Sequence, residues 1–354
     1  MEKVRFGIVG TGRISDWVLA GAVEDPRFEA VAVCSRKEET AQLFARKHGI
    51  RLCFTDVEAM AACPEVDAVY IGTPNHTHAD IAVRCLAKGK PVLCEKPFAS
   101  SAFEARQMVQ AAREQGLLLM EAMISTLNPN FLKAKEMLSK IGPLRSYTSH
   151  FCQYSSKYAK LQEAIAEGNP AKLAPVFNPL CSGGSLLDIG IYTIYPMVVL
   201  LGKPVRIDSC LQTVGVPSGD PRFACVDVQG TAQFAYPGLS AAVRFSKVAD
   251  SFLPTEIAGE GGNLLLDKMH ICRKLTFVPH GAPQSGRGED MPGEDITCPP
   301  FKDEYTAEFT HFIDLFLAGE KESPVNSLDA SVAVMEILDE IRQQAGVRYP
   351  SDRF

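Results

Sequence analysis

The chain has 354 residues, 46% of them hydrophobic and 22% charged, with a formal net charge of −6. That length exceeds one ordinary hydrophobic core, so two domains are expected. The acidic balance argues against a broad nucleic-acid or anionic-membrane footprint, and no nucleic-acid or membrane partner is expected. No apolar run is read as approaching the roughly 18–20 residues that span a bilayer. The first residues, Met1 to Gly7, enter a strand at once and lack the apolar stretch and cleavage site of an export signal. None of the eleven cysteines are spaced as C-x2-C or C-x4-C, and Cys34, Cys94 and Cys210 sit inside apolar runs. They read as reduced thiols of a cytoplasmic protein, with neither a disulfide framework nor a metal site.

From residue 4 to about 122 one pattern repeats: a short β-branched run, a turn, then a helical stretch. Strands are predicted at Val4–Val9, Phe28–Cys34, Arg51–Phe54, Ala68–Gly72, Pro91–Cys94 and Leu117–Met120. The helices between them are placed up to Val23 and over Glu38–His48, Ala79–Ala87 and Ser101–Gln115. Continuous apolar strands alternating with helices imply a doubly wound parallel sheet covered on both faces.

After Met123 the pattern changes. A helix over Pro129–Lys140 precedes longer strands at Leu144–Gln153, Val205–Val214, Val226–Phe234 and Ser240–Ser246. Neighbouring strands without crossover helices predict an antiparallel sheet. The segment 279–300 reads as an exposed loop, and helices over Asp303–Ala318 and Ser327–Ala345 end the chain. The domains are therefore placed at 1–122 and 123–354.

Gly10-Thr11-Gly12-Arg13-Ile14-Ser15 follows the first strand and opens the first helix. In a G-x-G-x-x-G/A turn the first glycine makes the bend, the second admits a pyrophosphate, and the third position must be small, as Ser15 is. The helix N-terminus then offers free N–H groups to the phosphates. An Asp or Glu at the end of the second strand would hold the ribose hydroxyl of NAD. Here stand Ser35 and Arg36, a hydroxyl and a guanidinium suited to a 2′-phosphate, so NADP(H) is preferred over NAD(H).

Thr73-Pro74-Asn75-His76-Thr77-His78 lies just past the fourth strand and Glu95-Lys96-Pro97 just past the fifth, where open α/β sheets bind ligands. Pro97 biases Lys96 away from helical geometry and is a candidate for a cis bond. His76 and His78 lack a third metal ligand nearby and are assigned to capping or cofactor contact. In Gly183-Gly184-Ser185-Leu186-Leu187-Asp188-Ile189-Gly190-Ile191-Tyr192, a helix would put Asp188, Tyr192 and Tyr195 at i, i+4 and i+7 on one face. Asp188 is then either part of a reactive site or a structural carboxylate bridging to a neighbouring strand.

Taken in order, the Gly10–Ser15 turn, Thr73-Pro74-Asn75 with His78, Glu95-Lys96-Pro97, and Asp188 through Tyr192 resemble the glucose–fructose oxidoreductase / inositol dehydrogenase / rhizopine-catabolism (Gfo/Idh/MocA) family. Tyr192, at a position where many members carry His, and the Ser35-Arg36 pair are similar to its dimeric dihydrodiol dehydrogenase and glucose–fructose oxidoreductase branch. So is the tail from Lys321 to Pro350. The resemblance implies a Rossmann domain followed by a domain with an open, mostly antiparallel sheet flanked by helices, often used for dimerisation. It implies hydride transfer between nicotinamide C4 and a carbinol or carbonyl carbon, with Lys96 and Tyr192 as the acid/base pair and Asp188 orienting them. The cofactor contacts it implies are Gly10, Gly12, Arg13, Ile14, Ser35, Arg36, Thr73, Pro74, Asn75, His78, Glu95 and Lys96. A phenol beside an ammonium titrates lower, and a two-unit depression corresponds to roughly 2.7 kcal/mol.

One stretch departs from that branch. The dihydrodiol dehydrogenases have an aromatic residue and an arginine where this chain has Ile124 and Thr126, which leaves sugars, polyols, vicinal diols and dicarbonyls as substrates. The competing class is a non-catalytic dinucleotide sensor or co-repressor of the same fold; Lys96, Asp188 and Tyr192 together argue against it, since a sensor needs no proton relay.

Overall fold

The computed structural model describes residues 2–281 and 293–353; within the expected loop over 279–300, residues 282–292 lie outside the described residues. Contacts divide the chain into two units, one of Met1–Ile124, Phe301–Glu336 and Ser351–Phe354, the other of Ser125–Pro300 and Ile337–Pro350.

In the first unit, β1 (Val4–Val9), β2 (Phe28–Cys34), β3 (Leu52–Phe54), β4 (Ala68–Ile71), β5 (Val92–Glu95) and β6 (Leu119–Ala122) form one sheet in the order β3-β2-β1-β4-β5-β6. Every pairing is parallel. Strands β4, β5 and β6 are buried at every position, as a sheet covered on both faces requires. The order reverses between β1 and β4, the switch point at which such sheets bind nucleotides. Helices lie over Arg13–Ala22, Glu38–His48, His78–Ala87 and Ala102–Gln115. The Ser101 hydroxyl caps the last of these by accepting from the Glu104 N–H. A short helix over Val57–Ala62 was not expected; Asp56 caps it, accepting from the Ala59 N–H at 2.7 Å.

The helix over Thr306–Ala318 was expected, but its partners were not. Phe309 lies 5.4 Å from Phe6, 5.2 Å from Phe28 and 5.5 Å from Tyr70 by ring centroid. Phe312 lies 5.7 Å from Phe6. The Thr306 hydroxyl donates to the Gly21 carbonyl at 3.0 Å. Contacts therefore place 301–336 with the first unit, whereas the sequence reading gave all of 123–354 to the second. The aromatic side chains of this helix complete the core below β1, a demand of packing that proximity in the chain does not reveal.

The second unit holds β7 (Leu144–Cys152), β8 (Arg206–Gly215), β9 (Cys225–Tyr236), β10 (Leu239–Ser246), β11 (Thr255–Gly259), β12 (Gly262–Leu266), β13 (Leu275–Pro279) and β14 (Glu294–Asp295). Their order is β14-β13-β12-β11-β7-β10-β9-β8. All neighbouring pairs are antiparallel except β7 with β10, which run parallel. Strands β11 to β14 and the helix over Tyr158–Glu167 were not anticipated, and β14 falls inside the stretch read as loop. Tyr147, Ser149 and Phe151 alternate onto one face of β7; the Tyr147 hydroxyl donates to the Thr193 carbonyl at 2.8 Å, fixing a helix against that face.

That helical segment, Pro179–Leu201, spans 23 residues and is long and apolar enough to cross a membrane by length and composition. This corrects the expectation that no apolar run approaches bilayer length. Its most apolar stretch is 72% buried within the fold, which accounts for its composition.

Phe309→Ala is expected to cost about 3–5 kcal/mol in denaturant unfolding, the usual loss for emptying a buried phenylalanine site. Leu317→Ala, on an exposed position of the same helix, is expected to cost under about 1 kcal/mol. Equal, small losses would show that this helix does not complete the first unit's core.

Candidate functional site

The cofactor half is built at the C-terminal ends of β1, β2, β4 and β5. Gly10 has φ +105°, and a Cβ there would stand 2.4 Å from the Gly72 carbonyl oxygen, so only glycine fits the turn. At Gly12, the N-cap of the helix over Arg13–Ala22, a Cβ would meet nothing within 4 Å, and no side chain caps that helix. An open cradle over an uncapped helix N-terminus fits a dinucleotide pyrophosphate. Ser15 is fully buried, and its Oγ would lie 2.8 Å from a Cβ on Gly72; the small third position thus packs helix against strand. Ile14 is half-buried, while the exposed Arg13 stacks over Trp17 at 4.7 Å.

At the end of β2 the Ser35 hydroxyl is 3.1 Å from Thr40 Oγ1 and 3.4 Å from Thr11 Oγ1, which joins it to the glycine turn. Arg36 is exposed, with no ion-pair partner among the described residues. The position after β2 therefore presents a hydroxyl and a cation, and no carboxylate.

Thr73, Pro74 and Asn75 follow β4 at partly or fully exposed positions. His78 is 1% exposed, its Nδ1 2.9 Å from the Pro97 carbonyl oxygen and its Nε2 2.8 Å from that of Thr73. Burial pushes its pKa down, and a neutral imidazole donates through one nitrogen at a time. Both ring nitrogens face backbone, so His78 ties the turn after β4 to the turn after β5.

Lys96 is half-buried, and the Lys96–Pro97 peptide is cis. Its neighbours fix the turn. The Tyr70 hydroxyl donates to Glu95 Oε1 at 2.7 Å, and the Phe98 N–H donates to Glu121 Oε1 at 2.9 Å. Glu95 was expected at the cofactor, but its carboxyl points into the core beside Tyr70. Burial raises it to about 7, against the opposing pull of the Tyr70 hydrogen bond and the Lys96 charge. Burial raises Glu121 to about 8.

The second unit carries the other set of candidates. Leu186–Gly190 forms one π-helical turn, which runs into the α-helix over Ile191–Leu201. The Asp188 carboxylate pairs with the Lys247 ammonium just past β10, the bridge to a neighbouring strand that the sequence left open. Tyr192 is half-buried, whereas Tyr195 is wholly buried, so the two do not share one exposed face as a regular helix predicts. The Tyr192 ring meets Phe151 edge-on at 5.7 Å and His270 at 6.3 Å, and Phe151 and His270 stack at 3.8 Å with an interplanar angle of 3°. Burial pushes His270 down to about 4, so its imidazole is neutral near pH 7.

Sequence reasoning missed Tyr70, Glu121, Lys247 and His270. A glutamate in the apolar run Leu117–Ala122 was a legible signal for Glu121. Lys247 and His270 lie 59 and 82 residues past Asp188, too far for any local spacing to join them.

Glu95 and Glu121 hold protons more tightly in the fold than in the unfolded chain, where glutamate titrates near about 4.3. The stability they contribute is whole below that value and is lost as pH rises through their folded values of about 7 and 8. Glu121→Gln, which stays neutral, is expected to melt higher than the parent at pH 8.5 and to flatten the decline between pH 6.5 and 8.5. Parallel melting profiles for parent and variant would show that Glu121 is ionised throughout.

Family models agree with this geometry. The model described as oxidoreductase family, NAD-binding Rossmann fold, matches residues 4–123, and the GFO/IDH/MocA C-terminal domain matches residues 131–265. The chain is 38% identical over 350 residues to scyllo-inositol 2-dehydrogenase (NADP(+)) IolU of Bacillus subtilis, covering 99% of each. It is 30% identical over 363 residues to trans-1,2-dihydrobenzene-1,2-diol dehydrogenase of Sus scrofa, again covering 99% of each. Among solved structures, levoglucosan dehydrogenase in complex with NADH matches with a TM-score of 0.81 at 20% identity, over 98% of this chain and 100% of that one. KijD10, a 3-ketoreductase from Actinomadura kijaniata in complex with NADP and TDP-benzene, matches with a TM-score of 0.77 at 24% identity, over 97% and 98%. The chain belongs to the Gfo/Idh/MocA oxidoreductase family, as an NAD(P)-dependent enzyme acting at a hydroxyl-bearing carbon.

Proposed function

We propose that the enzyme is NADP(H)-dependent and that it interconverts carbinol and carbonyl in a sugar, polyol, vicinal diol or dicarbonyl, with a cyclic polyol as the first substrate to test. The observation that carries the cofactor preference is the exposed Arg36 beside Ser35 at the end of β2, where no carboxylate stands to repel a 2′-phosphate. IolU, whose name specifies scyllo-inositol and NADP(+), supports both the cofactor and the cyclic polyol.

Gly10, Gly12, Arg13, Ile14, Ser35, Arg36 and the Thr73–Asn75 turn would hold the dinucleotide. Bound NADP(H) supplies or receives the hydride. Tyr192 is assigned the proton of the reacting oxygen, Lys96 the positive charge that favours its anionic form, and Asp188 the orienting carboxylate. Proton transfer by a positioned group of this kind contributes about 10²–10⁴-fold in rate. The edge of Phe151 and the neutral His270 beside Tyr192 suit a ring with an apolar C–H face and a hydroxyl rim.

The exposed face of the eight-stranded sheet, carrying Thr148, Gln233 and Ser240, is proposed as the contact of a homodimer or higher homo-oligomer, with the protein acting in the cytoplasm.

Tyr192→Phe and Lys96→Met are each expected to lower turnover by roughly 100-fold or more while NADPH still binds by fluorescence titration. Near-normal turnover in both would leave the dinucleotide sensor as the better reading. Arg36→Ala is expected to weaken NADPH about 10–100-fold, the worth of a charge-assisted hydrogen bond, and to leave NADH nearly unchanged. A parent enzyme that binds NADH more tightly than NADPH would overturn the cofactor preference.

A further inference from the structure

We propose that Lys247 is a positioning residue of the proton-transfer site, holding Asp188 turned toward β10. The inference rests on the assignment of Tyr192 and Asp188 to the chemistry. Lys247 follows β10 directly. Its side chain is 9% exposed, its ammonium pairs with Asp188, and it lies 5.8 Å from the centre of the Phe177 ring. Its backbone is fixed as well: its N–H donates to the Val228 carbonyl and its carbonyl accepts from the Ser155 N–H, both at 2.9 Å. A surface lysine needs none of this.

Asp188 sits in the π-helical turn, four residues before Tyr192. The ion pair therefore fastens the segment that presents Tyr192 to the end of β10. The other titratable groups on packed elements are Tyr147, Tyr195 and Asp227 on the inner side and His270 beside Tyr192. Arg244 and His150 alternate onto the outer face of the sheet, because Phe245 and Phe151 point inward.

The test is a double-mutant cycle on the full enzyme with Lys247→Met, Asp188→Asn and the pair together, with Lys247→Arg as the conservative variant. For each, kcat, KM and the pH profile of kcat/KM in the oxidative direction are measured, with NADPH binding as the control for folding. Lys247→Met is expected to lower kcat at least tenfold, with a smaller change in KM. The limb that reports the base should move to higher pH, because removing the Lys247 charge leaves more net negative charge beside the phenol. Lys247→Arg should restore most of the rate. The double variant should be no worse than Lys247→Met alone, since both charges of the pair are then removed together.

Multiplicative losses in the cycle, or a parental pH profile in Lys247→Met, would overturn the proposal. If Lys247→Met does not fold, Lys247→Arg and the double variant decide it: a parental-like rate in the first and recovered NADPH binding in the second support the pairing, and failure of both overturns it. Should Tyr192→Phe retain turnover, the underlying assignment fails instead, whatever the cycle shows.

Discussion

Asp227 is the fixed point around which the second unit's reactive segment is arranged. It is wholly buried, and its carboxylate accepts the Ser185 hydroxyl at 2.6 Å and the Leu186 N–H at 2.7 Å, at the start of the helical run that carries Asp188 and Tyr192. Burial pushes its pKa up, while those donors and the charge of Arg342 pull it back. An anion at that end of a helix also meets the positive end of the backbone dipole. The surroundings yield to it. Gly184, at φ +149°, could carry no Cβ, since one would stand 2.1 Å from Asp227 Oδ1. The Tyr349 hydroxyl donates to the Gly183 carbonyl at 2.9 Å, and the wholly buried Arg342 lies 4.1 Å from the Tyr349 ring. The end of the chain is thus a brace for residues 183–186.

The first unit meets the same demand by similar means. Lys96 stands on a turn whose backbone is held by His78 through the Pro97 carbonyl and by Glu121 through the Phe98 N–H, with Tyr70 anchoring Glu95 just before it. Each brace is a buried polar group, and each is costly unless partnered. Their cost appears as displaced titration: two glutamates raised well above their ordinary range and a histidine lowered. In both units Lys96 and Tyr192 stay half-buried, while the braces Tyr70, His78, Glu95, Glu121 and Asp227 are buried.

This division explains how much was legible in the chain. The glycine turn, the strand ends and the segment from Gly183 to Tyr192 could be read because their function depends on short spacings that the backbone enforces locally. Periodicity placed β1, β2 and β4 to β10 because long or buried runs carry a clear signal, and the three-residue β3 was placed by the repeating strand–helix pattern around it. The five-residue strands β11 to β13 carry too few residues of signal, and the helix over Thr306–Ala318 was recognised without its partners because Phe6 and Phe28 lie 303 and 281 residues before Phe309. Braces are illegible for the same reason. Lys247 is an ordinary charge in sequence that only the fold turns into the partner of Asp188, whereas Glu121 at least stood out as a glutamate in an apolar run, with its partner, the Phe98 amide, out of local reach.

The helix around Tyr192 is irregular on both sides, and the irregularity is local. Before it, Leu186–Gly190 is wound as a π-turn, and after it Pro196 stands inside the helix. Proline has no N–H to offer the carbonyl four residues back, which belongs to Tyr192, and its ring crowds that carbonyl. A π-turn adds a residue to its hydrogen-bonded loop and so rotates the downstream helix relative to the upstream turn. A regular helix would have set Tyr192 and Tyr195 along one stripe with Asp188. Here Tyr195 enters the core while Tyr192 stays at the edge beside Phe151 and His270. Departures of this kind cost stability and persist where surrounding contacts over-determine them. The contacts that do so are the Asp227 cap at one end of the turn and the Tyr147 hydroxyl on the Thr193 carbonyl at the other. The irregular turn therefore sets how the helix carrying both tyrosines is rotated relative to Asp188, and their spacing of three residues within that helix puts Tyr195 in the core and Tyr192 at its edge.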